Sequence, residues 1–269
     1  MKFQKKEEIR ITVLMAIYNC ASTLEEALDS LMNQTYQGFR VILCDDCSKD
    51  NTYEVAEKYI NRYPDKFILL RNERNMKLPA TLNRCLEYAD TEYVARMDGD
   101  DISKPERFEK EIQFLDAHPE FALVSCPMEY FDENGVFMTG KPLNEPQKKD
   151  FILKSPHAHA PVMIRTSILR EVHGYTVEKW TERGQDIHLW AKIYNRGYKG
   201  YNLSEPLYGM RDDKAAFKRR NLKSAFYNVK RAYEIYKLLD IPKYYLFYEG
   251  KGFLIALSPK WIYDIFHKK

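Results

Sequence analysis

Short apolar segments alternate with amphipathic ones over the first hundred residues, and that alternation leaves few folds open. Residues 9–17 form a mostly apolar run rich in β-branched side chains, which reads as a buried strand. Ser22-Thr23-Leu24-Glu25 then has the form of a capping box, followed by Leu24, Ala27, Leu28, Leu31 and Met32 at helical spacing. Residues 41–44 read as a second buried strand, Asn51 as the start of a second helix, and residues 67–70 as a third strand. Leu78, Leu82, Cys85, Leu86 and Ala89 mark a third helix, and residues 93–97 a fourth strand. Strand–helix alternation of this kind predicts an α/β fold, a mostly parallel sheet with helices on both faces.

Two acidic clusters fall where predicted strands end, Asp45-Asp46 and Asp98-Gly99-Asp100-Asp101. Ligands of open α/β sheets bind outside the carboxyl ends of the strands, so both clusters are expected to face one crevice. Carboxylates this close repel one another unless a cation joins them. Hard divalent ions such as Mg²⁺ or Mn²⁺ use few protein carboxylates and complete their shell with substrate phosphates. Gly99 would let a ligand approach the backbone. The plainer reading of the second cluster is an acidic turn capping the helix after Pro105, and Asp101 in particular fits either role.

Beyond Pro105 the pattern changes. A helix is expected to about Ala117, strands over residues 121–131 and 136–139 joined at Asp132-Glu133-Asn134-Gly135, and a flexible crossing loop over 144–155. A short strand at 162–164 follows. Residues 185–195 read as a helix with Ile187, Trp190, Ala191 and Ile193 inward, and everything after Lys214 as helices broken near Pro242 and Pro259. Charge supports a boundary there. The net charge of +3 divides into −6 for residues 1–213 and +9 for residues 214–269, and 13 of the 37 aromatics lie in that last segment. No apolar run approaches the ~18 residues of a membrane span, and no signal peptide is recognised. Of the five cysteines, Cys44 and Cys47 stand closest, but their spacer is two aspartates and no second pair follows. Reduced thiols, a cytoplasmic protein, and neither disulfides nor zinc are expected.

These strand ends resemble a family. Ala16-Ile17-Tyr18-Asn19, Leu31-Met32-Asn33-Gln34-Thr35, Asp45-Asp46-Cys47-Ser48-Lys49-Asp50, Leu82-Asn83 and the DXD-like Asp98-Gly99-Asp100 occur in the order and spacing of family 2 glycosyltransferases with the GT-A fold. The likeness is to bacterial enzymes of capsular or exopolysaccharide synthesis. It covers the first 125 residues and implies a Rossmann-like nucleotide-diphospho-sugar transferase fold; with the change in charge and composition, the domain is taken as residues 1–213 and residues 214–269 as a helical extension. It further implies that Ala16, Tyr18 and Asp46 hold the nucleotide base, with Asp46 accepting the uracil imide proton. Asp98 would lie near the ribose or metal, and Asp100 would be the main protein ligand to a Mg²⁺ or Mn²⁺ bound to the donor diphosphate.

A second acidic segment, Thr181-Glu182-Arg183-Gly184-Gln185-Asp186-Ile187-His188-Leu189-Trp190, is similar to the family's ED-x-x-LW stretch. The resemblance makes Asp186 the general base of an inverting transfer. Gln185 stands where the family has Glu, which removes a charge beside the base but not the base. A helix N-cap is the structural alternative for Asp186. His157 and His159, before Ala160-Pro161, suit either loop or core roles or a metal pair. Arg211, Lys218, Arg219 and Arg220 are candidates for the diphosphate, or simply a solvated basic face.

In the tail, aromatics interleave with lysines and arginines. That composition suits an anionic bilayer surface, and equally an apolar face packed on the catalytic domain. The membrane reading would put the enzyme at the inner face of the cell membrane, beside a glycan or polyprenyl-diphosphate-linked acceptor. Nucleic acid is not an expected partner, because no recognition motif appears and the body is acidic. The sequence therefore points to a metal-dependent inverting transfer from a nucleotide sugar, UDP-linked, in polysaccharide synthesis. Two alternatives are a sugar-phosphate nucleotidyltransferase and a non-catalytic interaction protein on the same scaffold. The first would need a Gly-rich, Lys/Arg-bearing loop where Asn19-Cys20-Ala21-Ser22 stands.

Overall fold

Alternate residues of the first strand, β1 (Ile11–Ile17), are buried on opposite sides of a sheet, because successive side chains of a strand point to opposite faces. Ile11, Val13, Met15 and Ile17 enter one core and Leu14 the other. A computed structural model describes residues 8–152, 154–211 and 222–250. After β1 come α1 (Leu24–Met32), β2 (Phe39–Asp45), α2 (Thr52–Arg62), β3 (Phe67–Arg71), α3 (Lys77–Glu87) and β4 (Tyr93–Arg96). The parallel part of the sheet runs β4-β1-β2-β3. The expected alternation is present, with element ends shifted by a residue or two.

The chain continues through β5 (Ile102–Ser103), α4 (Arg107–Ala117), β6 (Phe121–Ser125), β7 (Met128–Asp132) and β8 (Gly135–Thr139). It then passes through β9 (Met163–Arg165), α5 (Thr166–Glu171), α6 (Gln185–Asn195), β10 (Lys199–Asn202), β11 (Tyr208–Arg211) and α7 (Leu222–Leu239). The main sheet has the order β10-β6-β9-β4-β1-β2-β3, with β9 antiparallel to both neighbours. A smaller sheet, β5-β11-β7-β8, lies apart from it. The single strand expected over 121–131 is therefore two strands in two sheets, divided at Cys126-Pro127, where proline cannot donate to a ladder. The β7–β8 hairpin forms as expected, turning through Gly135 at φ +110°. The crossing loop is tied down. Residues 148–152 form a 3₁₀ turn with Phe151 buried, and Asn144 donates to the Asn202 carbonyl at 2.8 Å.

One face of the main sheet is covered by α1, α2 and α4 through Leu24, Leu28, Ala56, Phe108 and Leu115. The other face carries α3, α5, α6 and α7 through Leu82, Leu169, Trp190, Ile235 and Tyr236. The inner face of α7 thus belongs to the same core as the sheet. Its other side leaves Phe226 exposed, and the 3₁₀ turn after Pro242 exposes Tyr244 and Phe247. Among the described residues no helix is long and apolar enough to cross a membrane. Lys214, Lys218, Arg219, Arg220 and Pro259 lie outside the described residues.

Candidate functional site

The strand ends open into a cleft of about 920 Å³ whose walls include Ala16, Tyr18, Asp98, Asp100 and Arg211. A second cavity of about 530 Å³, walled by His157, His159 and Asp186, adjoins it. Leu78, Arg96, Asp98, Tyr130 and Met210 line both, so they form the boundary between the two spaces. Asp46 lies in a smaller recess of about 230 Å³ that also has Ala16 and Tyr18 in its wall.

Local folding holds the cleft open. The loop after β1 is pinned to the start of α2: Cys20 N–H donates to Thr52 Oγ1 at 2.8 Å and Ala21 N–H to Asp50 at 3.2 Å. Asn19, at φ +51°, accepts from Lys49 N–H at 2.8 Å and donates its own N–H to Ser48 Oγ at 3.0 Å. Asparagine tolerates this left-handed conformation better than most residues. The capping box expected at Ser22–Glu25 does not form. Thr23 occupies the cap position, but its hydroxyl donates to the carbonyls of Gly99 at 3.0 Å and Cys20 at 3.2 Å. The α1 start is thereby tied to the acidic turn instead of to its own amides. Gly99 serves packing rather than ligand access, since a Cβ there would lie 2.6 Å from Cys20 Sγ.

The two acidic clusters do not face one crevice in full. Asp45 is buried and turned inward, accepting from Ser48 N–H at 3.2 Å and pairing with Arg71 Nε at 3.2 Å. Asp46 accepts from Asn72 Nδ2 at 2.8 Å, Met76 N–H at 2.6 Å and Lys77 N–H at 2.9 Å. It thus organises the turn before α3 while lining the recess beside Tyr18. A carboxylate has about four lone-pair sites, so capacity for a further donor remains.

At the second cluster, Asp98 pairs with the buried Arg96 and its backbone N–H donates to Tyr208 Oη at 3.2 Å. Burial, and then the neighbouring Asp98 charge, push the Asp100 carboxyl above the ordinary range. Asp101 is pushed to about 7, by burial first and then by Asp98 and Asp100. It caps no helix, since α4 begins after Glu106. It accepts instead from Arg211 N–H at 2.9 Å, fastening β11 to the turn. Asp98 and Asp100 are the carboxylates that could hold a divalent cation. Among the described residues no group of three or more His, Cys, Asp or Glu forms a metal site. Two carboxylates suit a Mg²⁺ or Mn²⁺ that takes its other ligands from phosphate and water, and the Asp98 repulsion that adds to burial in raising the Asp100 carboxyl is what a cation would relieve.

Asp186 sits in the first turn of α6 but is not its cap. Gly184, at φ +74°, holds that position. Asp186 Oδ2 accepts from Ser155 Oγ at 3.2 Å and faces the second cavity. His157 is a core group, and His159 is half-buried at the cavity wall. His157 spends Nδ1 on Asn202 Oδ1 at 2.8 Å and Nε2 on Tyr194 Oη at 3.0 Å, which leaves neither nitrogen for a metal. Burial pushes it down to about 4, and pushes His159, bonded to Tyr175 Oη at 2.8 Å, well below the usual range.

Arg96 is the functional candidate that the sequence reading missed. It is 4% exposed, its Nε has no partner, and it stands at the junction of the two cavities. The available signal was its position, two residues before Asp98 in a strand that otherwise carries apolar side chains. Arg211 reaches the same cleft, where Nε donates to the Asp100 carbonyl at 3.0 Å and the guanidinium pairs with Glu26.

A doubly covered, mostly parallel sheet with an acidic turn at its strand ends defines an α/β nucleotide-sugar transferase architecture, and residues 12–174 match the family described as glycosyl transferase family 2. The chain belongs to that family and is a glycosyltransferase with the GT-A fold. It is 37% identical over 260 residues to EpsE of Bacillus subtilis (strain 168), a protein named as a glycosyltransferase. That match covers 97% of this chain and 94% of EpsE. It is 26% identical over 197 residues to the Escherichia coli UDP-Glc:alpha-D-GlcNAc-diphosphoundecaprenol beta-1,3-glucosyltransferase WfaP, covering 72% of this chain and 74% of that protein. Among solved structures, Staphylococcus aureus TarS 1-349 in complex with UDP-GlcNAc superposes with a TM-score of 0.70 at 20% identity, over 92% of this chain and 71% of the TarS fragment. The mannosyltransferase PcManGT from Pyrobaculum calidifontis, solved with GDP-Man and Mn²⁺, gives 0.68 at 18% identity over 98% of this chain and 77% of that one. Family membership sets aside the nucleotidyltransferase reading. The amylovoran biosynthesis glycosyltransferase AmsE of Erwinia amylovora is 31% identical over 232 residues, covering 84% of this chain and 84% of that protein.

Proposed function

We propose that the chain is a metal-dependent, inverting glycosyltransferase that moves a sugar from a UDP-linked donor to a glycan or a polyprenyl-diphosphate-linked acceptor. The observation that carries this reading is the shared boundary between the two cavities, with Asp98 and Arg96 on it, Asp100 on one side and Asp186 on the other. In this reading Ala16, Tyr18 and Asp46 bind the base, and Asp98 and Asp100 serve the metal–diphosphate side. A bound Mg²⁺ or Mn²⁺ supplies neutralisation of the charge that develops on the leaving diphosphate. Asp186 takes the proton from the acceptor hydroxyl as that oxygen attacks the anomeric carbon. The carbon–oxygen bond to the diphosphate breaks from the opposite face, its electron pair stays on the departing UDP, and the configuration inverts. Arg96, fixed by Asp98, holds a positive charge where the breaking bond lies.

The UDP and lipid-linked preferences are supported by the names of TarS 1-349 and WfaP, and the metal by PcManGT. Residues 1–213 carry this chemistry. Residues 214–269 are a basic, aromatic extension, and the outer face of its described part, including Phe226 and Phe247, meets the inner surface of the cell membrane from the cytoplasm. Substituting Asp186→Asn tests the base directly. Loss of general-base catalysis should lower kcat by roughly 10²–10⁴-fold and leave the affinity for UDP unchanged; wild-type turnover by this variant would refute the assignment.

A further inference from the structure

One wall of the cavity that Asp186 faces belongs to the small sheet. There Met210 of β11 pairs with Tyr130 of β7, and Tyr130 with Met138 of β8. Residues directly opposite one another project from the same face of a sheet, so the three side chains form one row. Met210 and Tyr130 line the cavity, and Met138 carries the row onto the edge strand β8, where it is 50% exposed. The chain after β8 runs along the same cavity through Gly140, Lys141, Pro142 and the half-exposed Leu143. That stretch is pinned at both ends. Gly140 N–H donates to the Met128 carbonyl at 2.9 Å, and the Leu143 carbonyl accepts from Asn202 Nδ2 at 2.6 Å. Lys141 and Lys154 stand on the cavity wall, both exposed, and among the described residues neither makes an ion pair or hydrogen bond. Lys154 directly precedes Ser155, whose hydroxyl donates to Asp186 at 3.2 Å. The other acids of the wall are engaged: Asp98 pairs with Arg96, and Asp150 accepts from Gln147 N–H at 2.7 Å.

We propose that this cavity takes the acceptor as a lipid diphosphate, with Lys141 and Lys154 on the diphosphate and Leu143 and Met138 under the hydrocarbon chain. The inference rests on the transfer reading above and deepens it, since it selects a lipid-linked acceptor over a free glycan. At about 530 Å³ the cavity is of ordinary small-molecule size, within ~300–1,000 Å³, which admits a sugar and its phosphates but not a long chain as well. The chain must leave, and apolar surface lies beside the lysine. Met138 precedes Lys141 by three residues, which limits their backbone separation to ~10 Å, a distance that a farnesyl chain spans. Methionine suits such a ligand, because its flexible, polarizable side chain adapts to an irregular apolar partner. Val136 and Phe137, both more than half exposed, extend the apolar surface along β8. Contiguous exposed apolar side chains mark an interaction surface. A second copy of the chain or a bilayer could cover Met138, but neither calls for cations on the wall of the cavity that holds the base.

Farnesyl diphosphate and inorganic pyrophosphate, titrated separately into the full-length protein by calorimetry in EDTA, are the probes. Chelation removes the metal on which diphosphate binding at Asp98 and Asp100 depends. The expected result is saturable farnesyl diphosphate binding, not displaced by UDP, about tenfold or more tighter than pyrophosphate. Met138→Asn/Leu143→Asn should abolish that advantage, and Lys141→Gln/Lys154→Gln should weaken farnesyl diphosphate about tenfold or more. All four side chains are substantially exposed; if one double variant fails to fold, the other decides. Equal affinity in wild type and variants overturns the proposal, as does displacement by UDP. Pyrophosphate binding as tightly as farnesyl diphosphate would identify a free-ion site. Without farnesyl diphosphate binding, a dimer that Met138→Asn/Leu143→Asn dissociates would identify a self-interface, and variant-sensitive binding of phosphatidylglycerol vesicles a membrane contact. Each of these three results also overturns it. UDP binding with Mn²⁺ is measured in parallel. Its absence from wild type would refute the transfer reading, whereas its presence without farnesyl diphosphate binding would refute this inference alone.

Discussion

Substituting Gly99→Ala probes the least forgiving contact at the centre of the site. The added Cβ would stand 2.6 Å from Cys20 Sγ, with Ile17 Cγ2 at 3.3 Å and Cys20 Cβ at 3.5 Å. Cys20 cannot withdraw easily. Its N–H is bonded to Thr52, and its carbonyl accepts the N–H groups of Thr23 at 3.1 Å and Leu24 at 2.9 Å. Overpacking of this kind costs ~1–3 kcal/mol, and each kcal/mol lowers the melting temperature by about 2–4 °C in a chain of this size. The severe overlap rests on one atom, so Cys20→Ala should relieve most of it. The Cβ–Cβ approach of 3.5 Å is then ordinary contact, and the tight 3.3 Å approach to Ile17 Cγ2 remains. A double-mutant cycle followed by denaturant unfolding should find Gly99→Ala clearly less costly in the Cys20→Ala background, with a coupling of about 1–2 kcal/mol. UDP affinity with Mn²⁺ should follow the same cycle, since Asp98 and Asp100 flank the glycine. Additive effects of the two substitutions would refute the argument that Gly99 exists to accommodate Cys20.

Thr23→Val removes the hydroxyl that ties α1 to the Gly99 carbonyl and should cost about 1 kcal/mol in denaturant unfolding. Burial raises Glu111 to about 7 despite its buried partner Arg107. The unfolded chain therefore loses this proton before the folded one, and stability should fall from about pH 4.5 to 7 by up to ~3 kcal/mol, a slope absent from Glu111→Gln in pH-dependent unfolding. His157 has the opposite sign, because its depressed value makes the unfolded state the stronger proton binder below pH 6.5. Its contribution should be lost as pH falls through about 4, and His157→Gln should flatten the acid limb of the same curve.

Much of the fold is legible locally. The 3.6-residue and two-residue periodicities around β1–β4 follow from burial on one face or two, and an acidic group ending an apolar strand marks the cleft. What the sequence hides is decided at long range. Nothing near Thr23 says that its hydroxyl will prefer the Gly99 carbonyl, 76 residues away, to its own helix amides. Asp45 and Asp46 are adjacent and alike on paper, yet one is buried and paired with Arg71 at the surface and the other lines the recess, because successive residues leave a strand end on opposite sides. The division at Cys126-Pro127 places β6 and β7 in different sheets, and that small second sheet supplies Tyr130, Met210 and Arg211 to the cleft. In a strand pattern Arg96 reads as an interruption; only the fold brings its charge between the two cavities.

Calorimetric titration of UDP with and without Mn²⁺, into wild type, Asp100→Asn and Asp186→Asn, tests the division of labour between the two acidic sites most directly. The account predicts Mn²⁺-dependent binding to wild type, a loss of about tenfold or more in Asp100→Asn, and an unchanged affinity in Asp186→Asn. Binding that ignores both Mn²⁺ and the Asp100 substitution, or that fails with Asp186→Asn, would contradict it.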